Sequence, residues 1–150
     1  MANEAHTHID DVPDDAMLFS YGYGGGSVND LRLYAEALDA TVVDTRISPR
    51  SRNPDWRKSN LEQKLGSRYV HEKSCGNKNY KGGPVRILDS GDCVNSLVDR
   101  LDDGPVILLC YCPEPRKCHR SKVARMVREA TGDMVYHLPT RDHPDQGVLL

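Results

Sequence analysis

The sequence feature that most constrains the fold is a continuous apolar run, Val106–Cys110. It has no polar face, and its first two residues, Val106 and Ile107, are β-branched. A strand that is apolar on both faces is buried on both, which is typical of a parallel sheet covered by helices. The run is far shorter than the roughly 20 residues of a membrane span. We therefore predict a parallel-sheet protein with no membrane partner.

Strand-like and helix-like segments alternate around this run. The segments with strand character are 17–21, 41–45, 68–71, 106–110 and 134–138. Alternation of this kind predicts right-handed crossovers and a mostly parallel sheet. The sequence thus predicts one α/β domain over residues 17–138, Rossmann-like, with helices on both faces.

Four segments between the strands have helical character. The first begins after Ser27, a good N-cap with Asp30 three residues on. The second is short and covers about residues 60–65. The third and fourth are predicted from apolar residues at helical spacing. These are Val94, Leu97, Val98 and Leu101, followed by Gly104, and then Val123, Met126, Val127 and Ala130, followed by Gly132.

The two ends of the chain differ from its centre. Residues 1–15 hold five acids and no lysine or arginine, and we predict residues 1–16 to be an acidic disordered tail. Residues 139–150 read as a C-terminal tail. The N-terminus has neither a basic start nor an apolar stretch, so no secretory signal is predicted and a cytoplasmic location is expected.

Positive charge is concentrated in two blocks although the net charge is only −2. Residues 46–86 carry eleven bases against three acids, and residues 111–128 carry six bases against one acid. Such blocks predict a local anion site for phosphate or nucleic acid, although each lysine alone is consistent with a solvated surface.

Ligands of open α/β sheets bind at the carboxyl ends of the strands, and most of the unusual residues follow those ends. Asp44 is expected to be a site carboxylate, the partner of Arg46, or both. Arg46, Arg50 and Arg52 offer planar forks for phosphate. Further candidates for substrate binding are Tyr21, Gly24 and His71. Gly22–Gly26 is either a phosphate-binding turn or simply a tight turn.

Three aromatic residues and two histidines carry further expectations. Trp56 lies in the basic loop, which we define as the segment between the strand at 41–45 and the helix at about residues 60–65. It is predicted either to contact nucleic acid or to anchor this loop to the core. Tyr21 and Tyr23 flank the glycine turn, and one of them is expected to stack on a base while the inward one belongs to the core. His71 and His137 both end strands and are expected to face one crevice.

The segment Cys110–Arg120 carries the strongest chemical signal. It leads from the buried strand into a helix N-terminus, where the helix dipole attracts anions and lowers the pKa of a thiol. Arg116 and Arg120 add positive charge there and are further candidates for substrate binding. Cys110 and Arg116 have the spacing of a cysteine phosphatase loop, but two prolines stand where such loops use glycine. We take Cys110 and His119, with Asp44, as candidate catalytic residues.

The five cysteines leave several alternatives open. Their odd number argues against a disulfide framework. Cys110 is either a nucleophile or a small apolar residue that ends a core strand. Cys110 or Cys112 could instead form a redox pair with Cys118. Zinc bound by Cys110, Cys112, Cys118 and His119, with or without Cys75, is a further alternative, but no resident metal or cofactor is expected.

Four segments together resemble the "domain of unknown function 488" family. They are Ser20–Ser27, Val43–Arg52, Tyr69–His71 and Leu108–Arg120, with Asp-x-Arg-x-x-Pro-Arg-Ser-Arg and Cys-x7-Cys-His-Arg as the most specific strings. The resemblance covers about residues 17–138 and implies a fold and a site, but no known reaction. Such proteins usually carry glutamate two residues after the first cysteine, where this chain has Cys112.

These observations lead to one expected function and one rival. We expect an enzyme, a hydrolase or transferase, that acts on a nucleotide or nucleic acid by N-glycosidic, phosphoryl or cysteine-based chemistry. The rival is a non-catalytic nucleic-acid-binding module whose cysteines are structural or bind zinc.

Overall fold

The protein folds into five strands and four α-helices, here taken from a computed structural model that describes residues 16–112 and 118–140. The strands are β1 (Leu18–Gly22), β2 (Thr41–Asp44), β3 (Tyr69–His71), β4 (Val106–Cys110) and β5 (Val135–His137). The helices are α1 (Val28–Leu38), α2 (Lys58–Leu65), α3 (Ser90–Asp103) and α4 (His119–Thr131). Short 3-10 turns at Tyr23–Gly25, Pro54–Trp56, Gly66–Arg68 and Lys73–Cys75 join them. The predicted tails fall almost entirely outside the described residues.

All five strands are parallel and lie in the order β3-β2-β4-β1-β5. The predicted Rossmann-like α/β class is therefore confirmed. Alternate side chains of each strand enter different cores. Ile107 and Leu109 pack with α1 and α2 on one face, whereas Val106 and Leu108 pack with α3 and α4 on the other. Burial on both faces is why β4 has no polar side chain.

The position of β4 defines where a site can form. It lies between β1 and β2, with Gly22 opposite Cys110 and Asp44 opposite Leu109. The carboxyl ends of these three central strands therefore meet at one edge of the sheet. The glycine turn, the basic loop and the cysteine segment all leave the sheet there.

Two predicted helix ends are confirmed by their capping contacts. The Ser27 hydroxyl accepts a hydrogen bond from the Asp30 backbone N–H at 3.1 Å and so begins α1. Gly132 ends α4 in the left-handed region, at a φ of 80° that favours glycine. The helix predicted at residues 60–65 begins earlier, at Lys58.

The buried faces of α3 and α4 differ from the predicted ones. In α3 the inward residues are Cys93, Leu97 and Leu101, while Val94 and Val98 are half-buried. In α4, Ala130 is exposed and Met126 half-buried. The inward residues of α4 are Arg120, Val123, Ala124 and Val127. Apolar spacing alone missed these faces because a cysteine, an alanine and an arginine occupy inward positions.

The expectation against disulfide bonds is wrong. Cys75 bonds to Cys93, and Cys110 bonds to Cys118. The turn that ends at Cys75 packs against α3 and brings its Cα to 4.9 Å from that of Cys93. An odd count excludes only complete pairing, and five cysteines still allow two bridges.

Within the described ranges, no helix is long and apolar enough to cross a membrane.

Candidate functional site

Arg120 is the largest fully buried side chain at the carboxyl edge of the sheet, with 0% of its surface exposed. Its Nε donates to Ser20 Oγ at 3.1 Å, and its Nη1 donates to Cys110 Sγ at 3.3 Å and to the Cys112 carbonyl oxygen. Burial lowers the pKa of the guanidinium to about 10, and attraction to Cys112 opposes that shift. The residue remains a cation at neutral pH, held against a cysteine.

Close backbone approach at Gly22 makes this arrangement possible. A Cβ atom built on Gly22 would collide with the Cys112 carbonyl oxygen and with the Arg120 guanidinium. The end of β1 must therefore be glycine for Arg120 to reach Cys110. This close approach accounts for the first glycine of the turn.

Ser20 connects Arg120 to a buried histidine. Ser20 Oγ, which accepts from Arg120, is also hydrogen-bonded to His137 Nδ1. His137 Nε2 is buried and has no hydrogen-bond partner among the described residues. Burial, with repulsion from Arg120, lowers the pKa of His137 to about 4. His137 is therefore neutral at physiological pH.

Three cysteines meet above this buried cation. The sulfur atoms of Cys110, Cys112 and Cys118 all lie within 4.8 Å of one another. Cys110 and Cys118 are buried and bonded to each other, whereas Cys112 is half-buried. Cys118 is also the N-cap of α4, where its sulfur accepts from the Arg120 backbone N–H at 3.5 Å. One of the two pairings that the redox alternative named, Cys110 with Cys118, is therefore present as a bond.

His119 has one defined tautomer. Its Nε2 lies 2.9 Å from Thr45 Oγ1 and 3.1 Å from the Thr45 carbonyl oxygen. Thr45 Oγ1 donates its own hydrogen to the Leu109 carbonyl oxygen at 2.8 Å. Both Thr45 atoms therefore accept, so Nε2 carries the hydrogen and Nδ1 has the lone pair. Burial lowers the pKa of His119, which favours this neutral form.

Asp44 and Arg46 form a buried ion pair at the end of β2. Both carboxylate oxygens of Asp44 accept from the guanidinium, at 2.8 Å from Nε and 2.6 Å from Nη2. The Tyr69 hydroxyl donates to Asp44 Oδ2 at 2.5 Å. Burial and the Asp44 charge raise the pKa of Tyr69, so its hydroxyl stays protonated. The predicted partnership of Asp44 with Arg46 is confirmed.

This network commits the Arg46 guanidinium to contacts within the protein. Its Nη1 donates to the Trp56 carbonyl oxygen at 2.8 Å and contacts the Tyr23 hydroxyl at 3.3 Å. Burial lowers the pKa of Arg46, but the contacts with Asp44 outweigh burial and raise it overall. Arg46 is 8% exposed. It positions the basic loop, in place of the phosphate contact predicted for it.

A pocket lined by aromatic rings, the aromatic pocket, opens beside the cysteine centre formed by Cys110, Cys112 and Cys118. It has a volume of about 570 Å³. The Tyr23 and Trp56 rings are stacked with centroids 4.6 Å apart, and the Tyr111 ring meets Tyr23 edge-on at 5.4 Å. Tyr111 lies between Cys110 and Cys112 in the chain, and its carbonyl accepts from the Gly24 N–H at 2.8 Å. The lining residues are Tyr23, Gly24, Gly26, Ser51, Arg52, Asn53, Trp56 and Tyr111.

The predicted binding residues divide around this pocket. Gly24 and Arg52 line it, and Arg50 is exposed in the same loop. Tyr21 is fully buried, and its hydroxyl pairs with the Ser27 backbone. Tyr21 therefore supports the turn from within the core. Tyr23, not Tyr21, lines the pocket. Trp56 is buried as a loop anchor and also lines the pocket. Arg116 lies outside the described residues.

His71 and His137 do not share one crevice, contrary to expectation. They end β3 and β5, which are the two opposite edges of the sheet. Four strand spacings, about 19 Å in all, separate those edges. His71 Nε2 instead donates to the Arg46 carbonyl oxygen at 2.6 Å and braces the basic loop.

Sequence reasoning missed several residues of the site. Ser20, Thr45, Tyr69 and Tyr111 all contribute contacts described above. Ser20 did carry a signal, because it is a polar residue inside the apolar strand β1. The partners of Thr45 and Tyr69 depend on strand order, which the chain does not display locally.

The fold and the strand-edge site define a parallel α/β domain with a cysteine and arginine centre beside an aromatic pocket. Residues 32–86 match the family model described as Domain of unknown function DUF488. The resemblance found in the sequence is confirmed over this stretch, which contains Asp44, Arg46, Arg50, Arg52 and His71. No curated protein and no solved structure matches the chain.

Proposed function

We propose that this protein is an enzyme that acts on a nucleotide or nucleic-acid substrate. The observation that carries the proposal is the aromatic pocket, which combines stacked rings, an arginine and a direct chain connection to the cysteine centre through Tyr111. Aromatic faces bind bases of any sequence, and arginine pairs with phosphate. A cytoplasmic location remains part of this proposal.

The shape of the pocket supports a flat, charged ligand. Tyr111 is 63% exposed, so one of its faces is available for stacking. Arg52 and the exposed Arg50 provide positive charge at the same edge. A base on Tyr111 with its phosphate near Arg52 would satisfy both features. The Asp44–Arg46 pair positions the basic loop, because Arg46 also donates to the Trp56 carbonyl oxygen.

The reactive groups of the proposed enzyme lie at the end of β4. Cys110, in its reduced form, would be a thiolate stabilised by the Nη1 of Arg120 at 3.3 Å. His119 is neutral and has a lone pair on Nδ1, as a general base requires. Asp44 is committed to Arg46 and Tyr69, so it contributes by positioning the loop. A hydrolase or transferase reaction with N-glycosidic, phosphoryl or cysteine-based chemistry fits these groups.

One observation favours the non-catalytic binding module instead. Cys110 is 1% exposed and bonded to Cys118, and a disulfide sulfur is no nucleophile toward substrate. In that case the cysteines hold the strand end and α4 together, and only the aromatic pocket contacts nucleic acid. The two candidates share the pocket and differ in whether reduction produces turnover.

Removal of the exposed ring should weaken binding strongly. We expect Tyr111→Ala to lower affinity for a short single-stranded oligonucleotide by about 10- to 100-fold, the range for loss of one stacked base. Trp56 is the only tryptophan and lines the pocket, so quenching of its fluorescence reports occupancy. The matched control is Tyr80→Ala, because Tyr80 is 67% exposed and does not line the pocket. Equal affinities for the two variants would refute the pocket as the binding site.

Cys110→Ser separates the enzyme from the binding module. We expect the reduced wild-type protein to convert an oligonucleotide, and Cys110→Ser to bind it equally well with turnover lost. Released base, released phosphate and a mass increase of the protein distinguish the three reaction classes. Absence of all three products from reduced wild-type protein that binds the oligonucleotide would favour the module.

A further inference from the structure

The three cysteines at the end of β4 have the arrangement of a metal site once the disulfide is reduced. Their sulfur atoms lie within 4.8 Å of one another. A tetrahedral zinc ion with Zn–S bonds of about 2.3 Å holds its sulfurs about 3.8 Å apart. Only small side-chain rotations are therefore needed to close the three sulfurs around one ion. Zinc also prefers thiolate and imidazole ligands over all others present here.

His119 is oriented as a fourth ligand. Its Nδ1 carries the lone pair and lies 3.8 Å from Cys118 Sγ, close to the roughly 3.5 Å between nitrogen and sulfur ligands of one tetrahedral zinc. Its Nε2 donates to Thr45, which fixes the ring. Zinc-bound histidines almost always donate their other ring N–H to a carbonyl or carboxylate in this way.

Arg120 supplies the charge and the hydrogen bonds that such a site needs. Three thiolates, one neutral imidazole and Zn²⁺ together carry one negative charge. The buried guanidinium of Arg120 balances that charge and donates to Cys110 Sγ at 3.3 Å. The Arg120 backbone N–H donates to Cys118 Sγ at 3.5 Å. N–H donors to ligand sulfurs are typical of the shell around a metal site.

We propose that the reduced protein binds one zinc ion through Cys110, Cys112, Cys118 and His119. An external dithiol first transfers two electrons and two protons to the Cys110–Cys118 bond, which gives two thiols, and becomes a disulfide itself. Zinc then binds three thiolates and the His119 lone pair, and three thiol protons pass to solvent. The oxidised protein lacks two of these ligands and does not bind zinc.

This inference goes beyond the proposed function and does not depend on it. A zinc ion would occupy the Cys110 thiolate and exclude nucleophilic attack by that sulfur in the same molecule. The zinc-loaded enzyme would then be restricted to N-glycosidic or phosphoryl chemistry. In the binding module, the same ion would be structural.

Zinc content of the untagged protein tests the site directly. After reduction with dithiothreitol and dialysis against limiting zinc, we expect one zinc per chain by elemental analysis, and none in the oxidised protein. Cys112→Ser should lower zinc affinity by more than about 100-fold, beyond the range for residues that only support ligands. Cobalt(II) in the same site should give a tetrahedral spectrum, and its sulfur charge-transfer band should weaken in Cys112→Ser.

Tyr111→Ala is the matched control, because it changes the residue beside two of the ligands and removes no thiol. It should keep zinc and lose oligonucleotide affinity, whereas Cys112→Ser should do the reverse. Cys112 is half-buried, whereas Cys110 and Cys118 are buried, so we expect Cys112→Ser to disturb the fold less than a serine at either of the other two cysteines. Circular dichroism checks the fold of the variant. Reduced wild-type protein without zinc, or unchanged zinc affinity in Cys112→Ser, would overturn the proposal whatever the result for nucleotides.

Discussion

Arg46→Met is expected to lower the free energy of unfolding by about 3–5 kcal/mol, the usual cost of breaking a buried ion pair by removing one partner. The substitution leaves the Asp44 carboxylate with 0% exposure and without the guanidinium that contacts both its oxygens. The Tyr69 hydroxyl and the backbone N–H of residue 46 remain as donors, but neither carries a charge. Chemical denaturation followed by Trp56 fluorescence measures the change.

An exposed ion pair in the same protein provides the control. Arg32 and Glu36 are one turn apart on α1, 3.4 Å from each other, and both are exposed to solvent. Arg32→Met should cost no more than about 0.5 kcal/mol, as exposed pairs do. If Arg46→Met unfolds the domain outright, the double variant Arg46→Met/Asp44→Asn should recover stability because it removes the isolated charge. A loss below about 1 kcal/mol for Arg46→Met would show that the pair does not stabilise the fold.

The strands and their parallel arrangement followed from the sequence because each signal is local. Val106–Cys110 is apolar at every position, and burial on both faces is the direct consequence. Ser27 and Gly132 mark helix ends by backbone hydrogen bonding within a few residues. Such features depend on residues that are close together in the chain, so they can be predicted directly from the sequence.

The partners of the site residues could not be predicted because they depend on strand order. The order β3-β2-β4-β1-β5 places Asp44 beside Tyr69 and separates His71 from His137. Alternation of strands and helices is compatible with many orders. The expectation of one crevice for both histidines failed for this reason, although each histidine does end a strand.

Arg120 shows how a residue can be singled out from the sequence while its contacts are mistaken. Its place at a helix N-terminus, after the three cysteines of Cys110–Arg120, predicted an anion-binding role. In the structure, Arg120 lies on the buried face of α4, and its guanidinium contacts Cys110 and Ser20. The side chain is fully buried, so it is not exposed to a phosphate in solvent. An arginine is seldom fully buried, so a helical pattern assigns it to the solvent face by default.

The second large effect concerns pH and the buried histidine of β5. His137 has a pKa of about 4 in the folded protein, against about 6.5 in the unfolded chain. Between these values the unfolded chain binds a proton that the folded protein does not, so the free energy of unfolding decreases as pH falls. The contribution is complete above pH 6.5 and is lost by about pH 4. A difference of about 2.5 pKa units corresponds to about 3 kcal/mol.

His137→Asn should remove this pH dependence, because asparagine does not titrate and its oxygen can take the place of Nδ1 toward Ser20. Denaturant unfolding at pH 7, 6, 5 and 4.5 then compares the two proteins. His119 has a lowered pKa as well, but it is present in both, so the difference between the curves isolates His137. We expect the wild-type protein to lose about 2 kcal/mol more than the variant between pH 7 and 4.5. Parallel curves would mean that His137 is protonated within the fold near its ordinary pKa, with the charge tolerated beside Arg120.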